Sequence, residues 1–195
     1  MNNQFEHKEA FMNEKKLILS RADLSKKGSI DIEIKELVDA INAHDDFCTT
    51  SSCAGRITLL ERRSSRKIDA KWLFTSHQPV TFDALHTALV SDADVWLMQE
   101  SCILHVFART LDAADAFLAL CRKAGFKRTG ITSLSKKIMI EIMGNEKVEA
   151  LIIKEGKRLI SDENLKVLVN ECNGRMQKNR LRMNTLLNEV TSYSN

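Results

Sequence analysis

The spacing of apolar residues predicts helices at both ends of the chain and in three segments between them. From Ile32 to Ala43 the apolar residues lie three or four positions apart, so they share one face of a helix. Ser29 or Asp31 can cap the start of that helix, and Gly125 ends a later one. The predicted helices cover residues 5–19, 32–43, 81–90 and 112–124, and a long final helix begins near Ser161.

Short apolar segments between these helices predict β-strands. In the segment 103–109, alternation places His105 and Phe107 on one face and Leu104 and Val106 on the other. The predicted strands cover residues 57–61, 71–75, 94–98 and 103–109 and the sequences ITSL, KIMIEIM and VEALII. Helices at both ends and strands between them predict an α+β fold. We expect a single domain over residues 1–195, with mixed or antiparallel strands, flanking helices and a long C-terminal helix.

Composition and charge restrict the class of protein. Hydrophobic residues make up 44% of the 195 residues and charged residues 28%, as in ordinary globular proteins. The net charge of +3 permits an anionic partner, although general nucleic-acid binders are usually more basic. The N-terminal stretch lacks the apolar region of a signal peptide, and no apolar run reaches the roughly 20 residues of a membrane span. We therefore expect a cytoplasmic protein without a membrane partner.

Cysteine usage and missing motifs exclude several kinds of site. The five cysteines are scattered, which predicts free thiols in a reducing compartment. Cys48 and Cys53 have no second pair of matching spacing, so we expect no structural metal. The chain has no G-x-G-x-x-G, P-loop, H-E-x-x-H or G-x-S-x-G motif. A dinucleotide-binding fold and the common hydrolase sites are thereby disfavoured.

The stretch TTSSCAGRI, Thr49 to Ile57, is the strongest candidate for a functional site. Hydroxyls and backbone N–H groups around a small-residue turn can line an anion site, and the Arg56 guanidinium suits a carboxylate or phosphate. A tight turn whose serines bond local backbone groups accounts for the same pattern. A nucleophilic Cys53 would need an activated thiolate and a base partner. The pattern alone leaves these interpretations open.

Two histidines and a pair of acids are candidates for accepting a proton. His105 lies among apolar residues, where a hydrogen-bonded core histidine is the alternative. His77 lies at a strand end, where functional groups and exposed loop histidines both occur. Asp45 and Asp46 lie shortly before the hydroxyl stretch, and either acid can point into the same site. Solvated acids at a helix end are the alternative for this pair.

Two basic clusters are candidates for contacts with a phosphate backbone. In each cluster, a solvated charged face is the alternative. The first follows a predicted strand, and the second lies on the final helix. Their members are Arg62, Arg63, Arg66, Lys67 and Lys71, and Arg175, Lys178, Arg180 and Arg182.

Five motifs occur here in the order and spacing of a known family: DLSKKGSID, TTSSCAGRI, KWLFTSH, ILHVFAR and AGFKRTGIT. With them the chain resembles the tRNA wybutosine-synthesising methyltransferases, which methylate a tricyclic base late in the wybutosine pathway. The resemblance runs from about Phe11 to about Arg182, and the combination of its first two motifs is highly specific. It implies an α+β fold unlike the Rossmann-type methyltransferases, and a eukaryotic or archaeal source.

The resemblance also implies an activity. Members of the family use S-adenosylmethionine to methylate a ring nitrogen of the base immediately 3′ of the anticodon in phenylalanine tRNA. The chain departs from the family at LMQESC, Leu97 to Cys102, where Glu100 keeps the family acid and Met98 replaces a lysine. Ser101 and Cys102 replace proline and phenylalanine. These departures motivate an alternative function, a non-catalytic tRNA- or nucleotide-binding module.

Roles for the candidate residues follow as hypotheses. Arg56 would pair with a carboxylate, either of the methyl donor or of the precursor base. His105 is the first candidate for taking the ring proton, ahead of Asp45 and His77, with Glu100 orienting it or binding the base. The remaining donor- or base-binding candidates are Thr50, Ser51, Ser52, Cys53 and Gly55, and those for contacts with the anticodon loop are Arg62, Arg63, Arg66, Lys67, Arg175, Lys178 and Arg182.

Overall fold

The computed structural model describes residues 2–21, 29–63 and 69–193, with side chains from Lys8 onward. The helices are α1 (Asn2–Leu19), α2 (Ile32–Ala43), α3 (Phe82–Ala88), α4 (Leu111–Lys123) and α5 (Asp162–Ser192). The strands are β1 (Phe47–Cys53), β2 (Arg56–Arg62), β3 (Ala70–Ser76), β4 (Asp94–Glu100), β5 (Ile103–Ala108), β6 (Arg128–Ser133), β7 (Ile138–Met143), β8 (Val148–Lys154) and β9 (Lys157–Arg158). Within these ranges, no helix is both long enough and apolar enough to cross a bilayer.

The predicted α+β class is confirmed. The strands in the described ranges pair in antiparallel fashion, which differs from the parallel sheet of a Rossmann-type methyltransferase. Contacts divide the chain into two compact units. Unit 1 comprises residues 1–54, 102–144 and 181–195, and unit 2 comprises residues 55–101 and 145–180. The single domain expected over the whole chain stays a prediction.

Unit 1 is a four-stranded sheet in the order β1-β5-β7-β6 with helices on both faces. Leu104 and Val106 point into the main core, where they pack with residues of α2, α4 and the last part of α5. Phe107 faces the other way and packs against Phe11 of α1, with ring centroids 4.8 Å apart. The alternation predicted for this strand is therefore confirmed. Each fully buried apolar side chain stabilises the fold by roughly 1.5–3 kcal/mol.

Unit 2 is a five-stranded sheet in the order β3-β2-β4-β8-β9. Its core joins apolar residues of β2, β4 and β8 to α3 and to the first part of α5. Leu165, Val169, Cys172 and Met176 of α5 are all buried in this core. Their spacing of four, three and four residues forms the apolar stripe that the sequence predicts for a long helix.

The hydroxyl stretch is the main difference between the predicted and observed elements. Residues Thr49 to Cys53 belong to the edge strand β1, not to a turn. The strand begins with the fully buried Phe47 and Cys48, whose burial on opposite faces ties β1 into both apolar clusters of unit 1. Most of the motif DLSKKGSID, residues 23–31, lies outside the described residues.

Asp31 occupies the predicted N-cap position of α2, but its side chain makes no capping hydrogen bond there. Its carboxylate instead accepts a hydrogen bond from the backbone N–H of Ala54, at 3.0 Å. This hydrogen bond therefore links the start of α2 to Ala54, the residue that follows β1.

Candidate functional site

Three side chains on adjacent strands of unit 1 form a hydrogen-bonded row. The Ser51 Oγ lies 2.7 Å from Nδ1 of His105, and Nε2 of His105 lies 2.9 Å from a carboxylate oxygen of Glu141. The strand register places Ser51 and Glu141 opposite His105 on its two sides. An imidazole held between a hydroxyl and a carboxylate in this way can accept a proton and stabilise the resulting charge.

A β-bulge positions the serine in this row. The pairing of β1 with β5 shifts between Thr49 and Ser51, so that Thr50 is an extra residue and Ser51 stands opposite His105. The start of β1 is fixed by Asn42 of α2, whose amide bonds both the backbone N–H and the hydroxyl of Thr49 at 2.8 Å. Thr50 is exposed, and its hydroxyl donates to the backbone carbonyl of His105 at 3.3 Å.

The side chains of this row are partly accessible to solvent. His105 and Glu141 are each 32% exposed, whereas Phe107, two residues along β5, is buried against α1. Glu141 was not predicted as a residue of the site. A signal for it was present, since Glu141 is the one charged residue among the apolar positions 138–143. Glu141, rather than Glu100, is the carboxylate bonded to His105.

A second cluster forms in unit 2 around Arg56. Its Nε donates to a carboxylate oxygen of Glu100 at 2.6 Å, and its guanidinium lies 4.7 Å from the ring centroid of Trp72. Arg56 and Glu100 are direct partners in the β2–β4 pairing, and each is about one-third exposed. Within the described part of the chain, the two Nη groups have no hydrogen-bond partner. Trp72 is 41% exposed.

The other two candidate bases have different surroundings. Asp45 is exposed and pairs with Lys8 at 3.0 Å. The hydrogen bond from Lys8 lowers the pKa of the Asp45 carboxyl, which makes it a weaker base. His77 of unit 2 has its Nδ1 3.0 Å from the backbone carbonyl of Gly55, a residue with a φ of 82°. Ser52 and Cys53 stand opposite Leu104 and Ile103, at the end of β1.

The first basic cluster borders an open pocket of about 620 Å³ in unit 2. The Arg62 guanidinium lies 5.8 Å from the ring centroid of Trp96, and Arg63 is bonded to Glu61 and Asp92. Lys154, also in the pocket wall, pairs with Asp94 at 2.8 Å. Arg66 and Lys67 lie outside the described residues.

The second basic cluster lies along α5. Arg175 pairs with Glu171 at 2.7 Å, and Lys178 is exposed. Arg175 and Lys178 belong to unit 2, whereas Arg182 belongs to unit 1. Arg180 donates to the backbone carbonyl of His77 at 2.5 Å and therefore has a structural role within unit 2.

Comparisons with known proteins agree on one family. A family model described as methyltransferase TYW3 matches residues 6–192. The tRNA wybutosine-synthesizing protein 3 homolog of Mus musculus is 35% identical over 176 residues, which cover 87% of this chain and 68% of that protein. A Pyrococcus furiosus relative, tRNA(Phe) 7-((3-amino-3-carboxypropyl)-4-demethylwyosine(37)-N(4))-methyltransferase 1, is 32% identical over 92% of this chain and 94% of its own length.

A solved structure is similar over the whole fold. The PH1069 protein from Pyrococcus horikoshii superposes with a TM-score of 0.83 at 29% sequence identity. The match covers 98% of this chain and 97% of that chain.

Proposed function

Because this chain belongs to the methyltransferase TYW3 family, we propose that it methylates phenylalanine tRNA with S-adenosylmethionine as the methyl donor. The acceptor is the ring nitrogen N4 of the aminocarboxypropyl-bearing tricyclic base at position 37, immediately 3′ of the anticodon. The relatives named for this reaction and the match over nearly the whole chain support the assignment. The cytoplasmic location expected from the sequence stays a prediction.

The observation that carries the proposal is the Arg56 cluster. Glu100 holds Nε, and Trp72 supports the plane of the guanidinium. A guanidinium fixed in this way presents its Nη groups for a bidentate pair with a carboxylate. Both reactants carry one, the donor in its methionine part and the base in its aminocarboxypropyl arm. Arg56 therefore binds one of these two carboxylates, beside the indole ring of Trp72.

The hydroxyl stretch of unit 1 and the neighbours of Arg56 in unit 2 are also assigned to binding of the donor or the base. Their role is positioning, because transfer of a methyl group from a sulfonium to nitrogen requires in-line geometry. Such positioning lowers a barrier by roughly 7–11 kcal/mol in favourable cases. The residues that we assign to it, besides Arg56, are Thr50, Ser51, Ser52, Cys53, Gly55 and Glu100.

The ring nitrogen must also lose a proton. Among His105, Asp45 and His77, we assign this role to His105, because its ring is bonded to a hydroxyl and a carboxylate in an accessible row. The lowered pKa of Asp45 makes that residue less suitable as a base.

Phosphates of the anticodon loop would contact the two basic clusters. Arg62 combines a cation with the aromatic face of Trp96 beside an open pocket, which suits a nucleotide of a single-stranded loop. The cations that we assign to RNA are Arg62, Arg63, Arg66, Lys67, Arg175, Lys178 and Arg182.

Calorimetric titration with S-adenosylmethionine tests the donor site. We expect saturable binding to the wild type and a Kd raised at least about tenfold in Arg56→Ala, because a hydrogen bond to a charged group contributes roughly 1.5–3 kcal/mol. Arg158→Ala is the matched control, since Arg158 is 32% exposed in unit 2 and pairs with one carboxylate, that of Asp162. Its Kd should equal that of the wild type.

If the Kd of the donor is unchanged in Arg56→Ala, the titration is repeated with the precursor tRNA, where loss of tRNA affinity would place the base carboxylate at Arg56. An unchanged affinity for both reactants would contradict the assignment of Arg56.

Mass spectrometry of the tRNA after incubation with the methyl donor then tests catalysis. Binding of both reactants without methylation would favour the non-catalytic module. Met98, which stands where the family has lysine, is only 7% exposed in β4.

A further inference from the structure

We propose that Ser51, His105 and Glu141 form a proton relay, in which the Ser51 hydroxyl meets the N–H of the bound base. His105 is the final acceptor of the proton, and Glu141 is a positioning residue that holds the imidazole. This inference rests on the proposed methyl transfer. It adds two roles to that reaction, one for Ser51 as the group that touches the substrate and one for Glu141.

The order of the groups follows from their hydrogen bonds. An ionised carboxylate only accepts hydrogen bonds, so the contact of Glu141 with Nε2 at 2.9 Å places the ring hydrogen on Nε2. The lone pair of Nδ1 then faces the Ser51 Oγ, 2.7 Å away, and accepts the hydrogen of that hydroxyl. The free lone pairs of Ser51 are left to accept the N–H of a base.

The local backbone places Ser51 where a relay needs it. Without the bulge, Thr50 rather than Ser51 would occupy the position opposite His105. The extra residue brings the smaller hydroxyl side chain into the row and leaves Ser51 exposed at the edge strand of the sheet. The Ser51 hydroxyl is therefore accessible to a ligand on this face of the sheet.

The face around the row can receive a flat ring. Ile103 and Met143, which are partners in the β5–β7 pairing, lie two residues from His105 and Glu141 and on the same face. Both are half-buried and offer apolar contact to a base. Gly130 stands opposite Glu141 on β6, and a Cβ built there would meet none of the described atoms within 4 Å.

The step balances as a single displacement. The ring nitrogen attacks the methyl carbon, the carbon–sulfur bond breaks, and its electron pair stays on sulfur, so the sulfonium becomes a neutral thioether. The N–H proton passes to the Ser51 oxygen as the hydroxyl proton of Ser51 passes to Nδ1. The products are the methylated base, the neutral thioether and an imidazolium paired with Glu141, which later releases its proton to water.

Single-turnover methylation of the precursor tRNA tests the relay. We expect Ser51→Ala to lower the rate at least about 100-fold, within the range of general acid–base catalysis, and Ser51→Thr to restore most of it. Glu141→Gln should also lower the rate, because the imidazole loses the carboxylate that fixes its orientation and tautomer. Glu189→Gln is the matched control, because it removes a unit 1 carboxylate that is bonded at 2.6 Å to Lys123. Its rate should equal that of the wild type.

The pH profile separates a positioning role from a structural one. Among the described residues, Glu141 is the one titratable side chain bonded to His105. Glu141→Gln should therefore move the acid limb of the rate profile to lower pH, since the imidazolium loses its carboxylate partner. The control should leave the limb in place. An unmoved limb in Glu141→Gln would overturn the role of Glu141.

Nitrogen NMR of the ligand-free protein tests the geometry without activity. With ¹⁵N-labelled histidine, we expect the neutral His105 ring to carry its hydrogen on Nε2, and a mixture of tautomers in Glu141→Gln, because an amide can donate as well as accept. A hydrogen on Nδ1 in the wild type would overturn the relay. If the wild type methylates the tRNA and Ser51→Ala keeps the full rate, the relay is overturned and the proposed function is not. If the wild type never methylates the tRNA, both the proposed function and the relay are overturned.

Discussion

Arg56 shows how neighbouring residues adapt a common side chain to a specific role. An arginine on a strand normally keeps its guanidinium mobile in water, at a cost in side-chain entropy when a ligand binds. Here Glu100 and Trp72 already restrict it, through a 2.6 Å hydrogen bond and a 4.7 Å cation–π contact. Part of the entropic cost of binding a carboxylate is therefore met in the free protein.

At the same scale, the buried thiol of Cys121 should make stability depend on pH. Burial raises the pKa of this thiol to about 12, so the folded state keeps the proton while the unfolded state releases it from about pH 9. Stability is therefore lost as pH rises between these values, by up to about 1.4 kcal/mol per pH unit. Urea unfolding at pH 8 to 11 should show a smaller decline for Cys121→Ala than for the wild type.

The Cys121→Ala variant will be less stable than the wild type at pH 8, because it leaves a small cavity in the core of unit 1. The comparison therefore uses the slope against pH and not the absolute value. Equal slopes in the two proteins would contradict this account. Cys172 of unit 2, whose thiol has its pKa raised to about 12 by burial, offers an independent repetition of the experiment.

At the scale of elements, α4 shows how one side chain fixes a helix start. The Thr110 hydroxyl accepts a hydrogen bond from the N–H of Ala113 at 3.1 Å, which satisfies one of the unpaired donors of the first turn. Thr110→Ala should lower the free energy of unfolding by about 0.5–2 kcal/mol, as measured by urea denaturation. Thr110→Ser should keep most of the stability.

Thr185→Ala is the matched control for this prediction. Thr185 lies within α5, is exposed, and bonds only the carbonyl of Leu181 in the preceding turn. Removing it should change stability by less than about 0.5 kcal/mol. Equal losses in the two alanine variants would show that the cap contributes nothing specific.

At the scale of the whole molecule, the charge distribution matters more than the net charge of +3. RNA binding through the basic clusters should weaken steeply with salt, because each phosphate contact releases counterions. Arg62→Ala should reduce the slope of log K against log salt by about 0.7–1, measured by titration of the anticodon stem-loop at several salt concentrations.

Lys35→Ala provides the control for the salt experiment. Lys35 is exposed on α2 and pairs with Asp39, outside either basic cluster. Its variant should keep the slope of the wild type. If Arg62→Ala also keeps that slope, Arg62 does not contact a phosphate.

The class of fold, most of the elements and the family follow from local sequence patterns. Helix and strand patterns depend on residues within a few positions of one another, so they appear in the sequence directly. One example that the structure confirms is the buried apolar stripe of α5, which consists of Leu165, Val169, Cys172 and Met176. The motifs that carry the family resemblance are likewise short and local.

Which polar groups meet depends on the pairing of strands that are distant in sequence. Glu141 and His105 are 36 residues apart in sequence, and Glu100 and Arg56 are 44 apart, yet strand pairing makes them neighbours. Local patterns carry no information on strand register, and a single bulge decides whether Thr50 or Ser51 faces His105. The strand β1 was missed for the same reason, since its hydroxyl-rich sequence becomes a strand only through pairing with β5 and burial of Phe47 and Cys48.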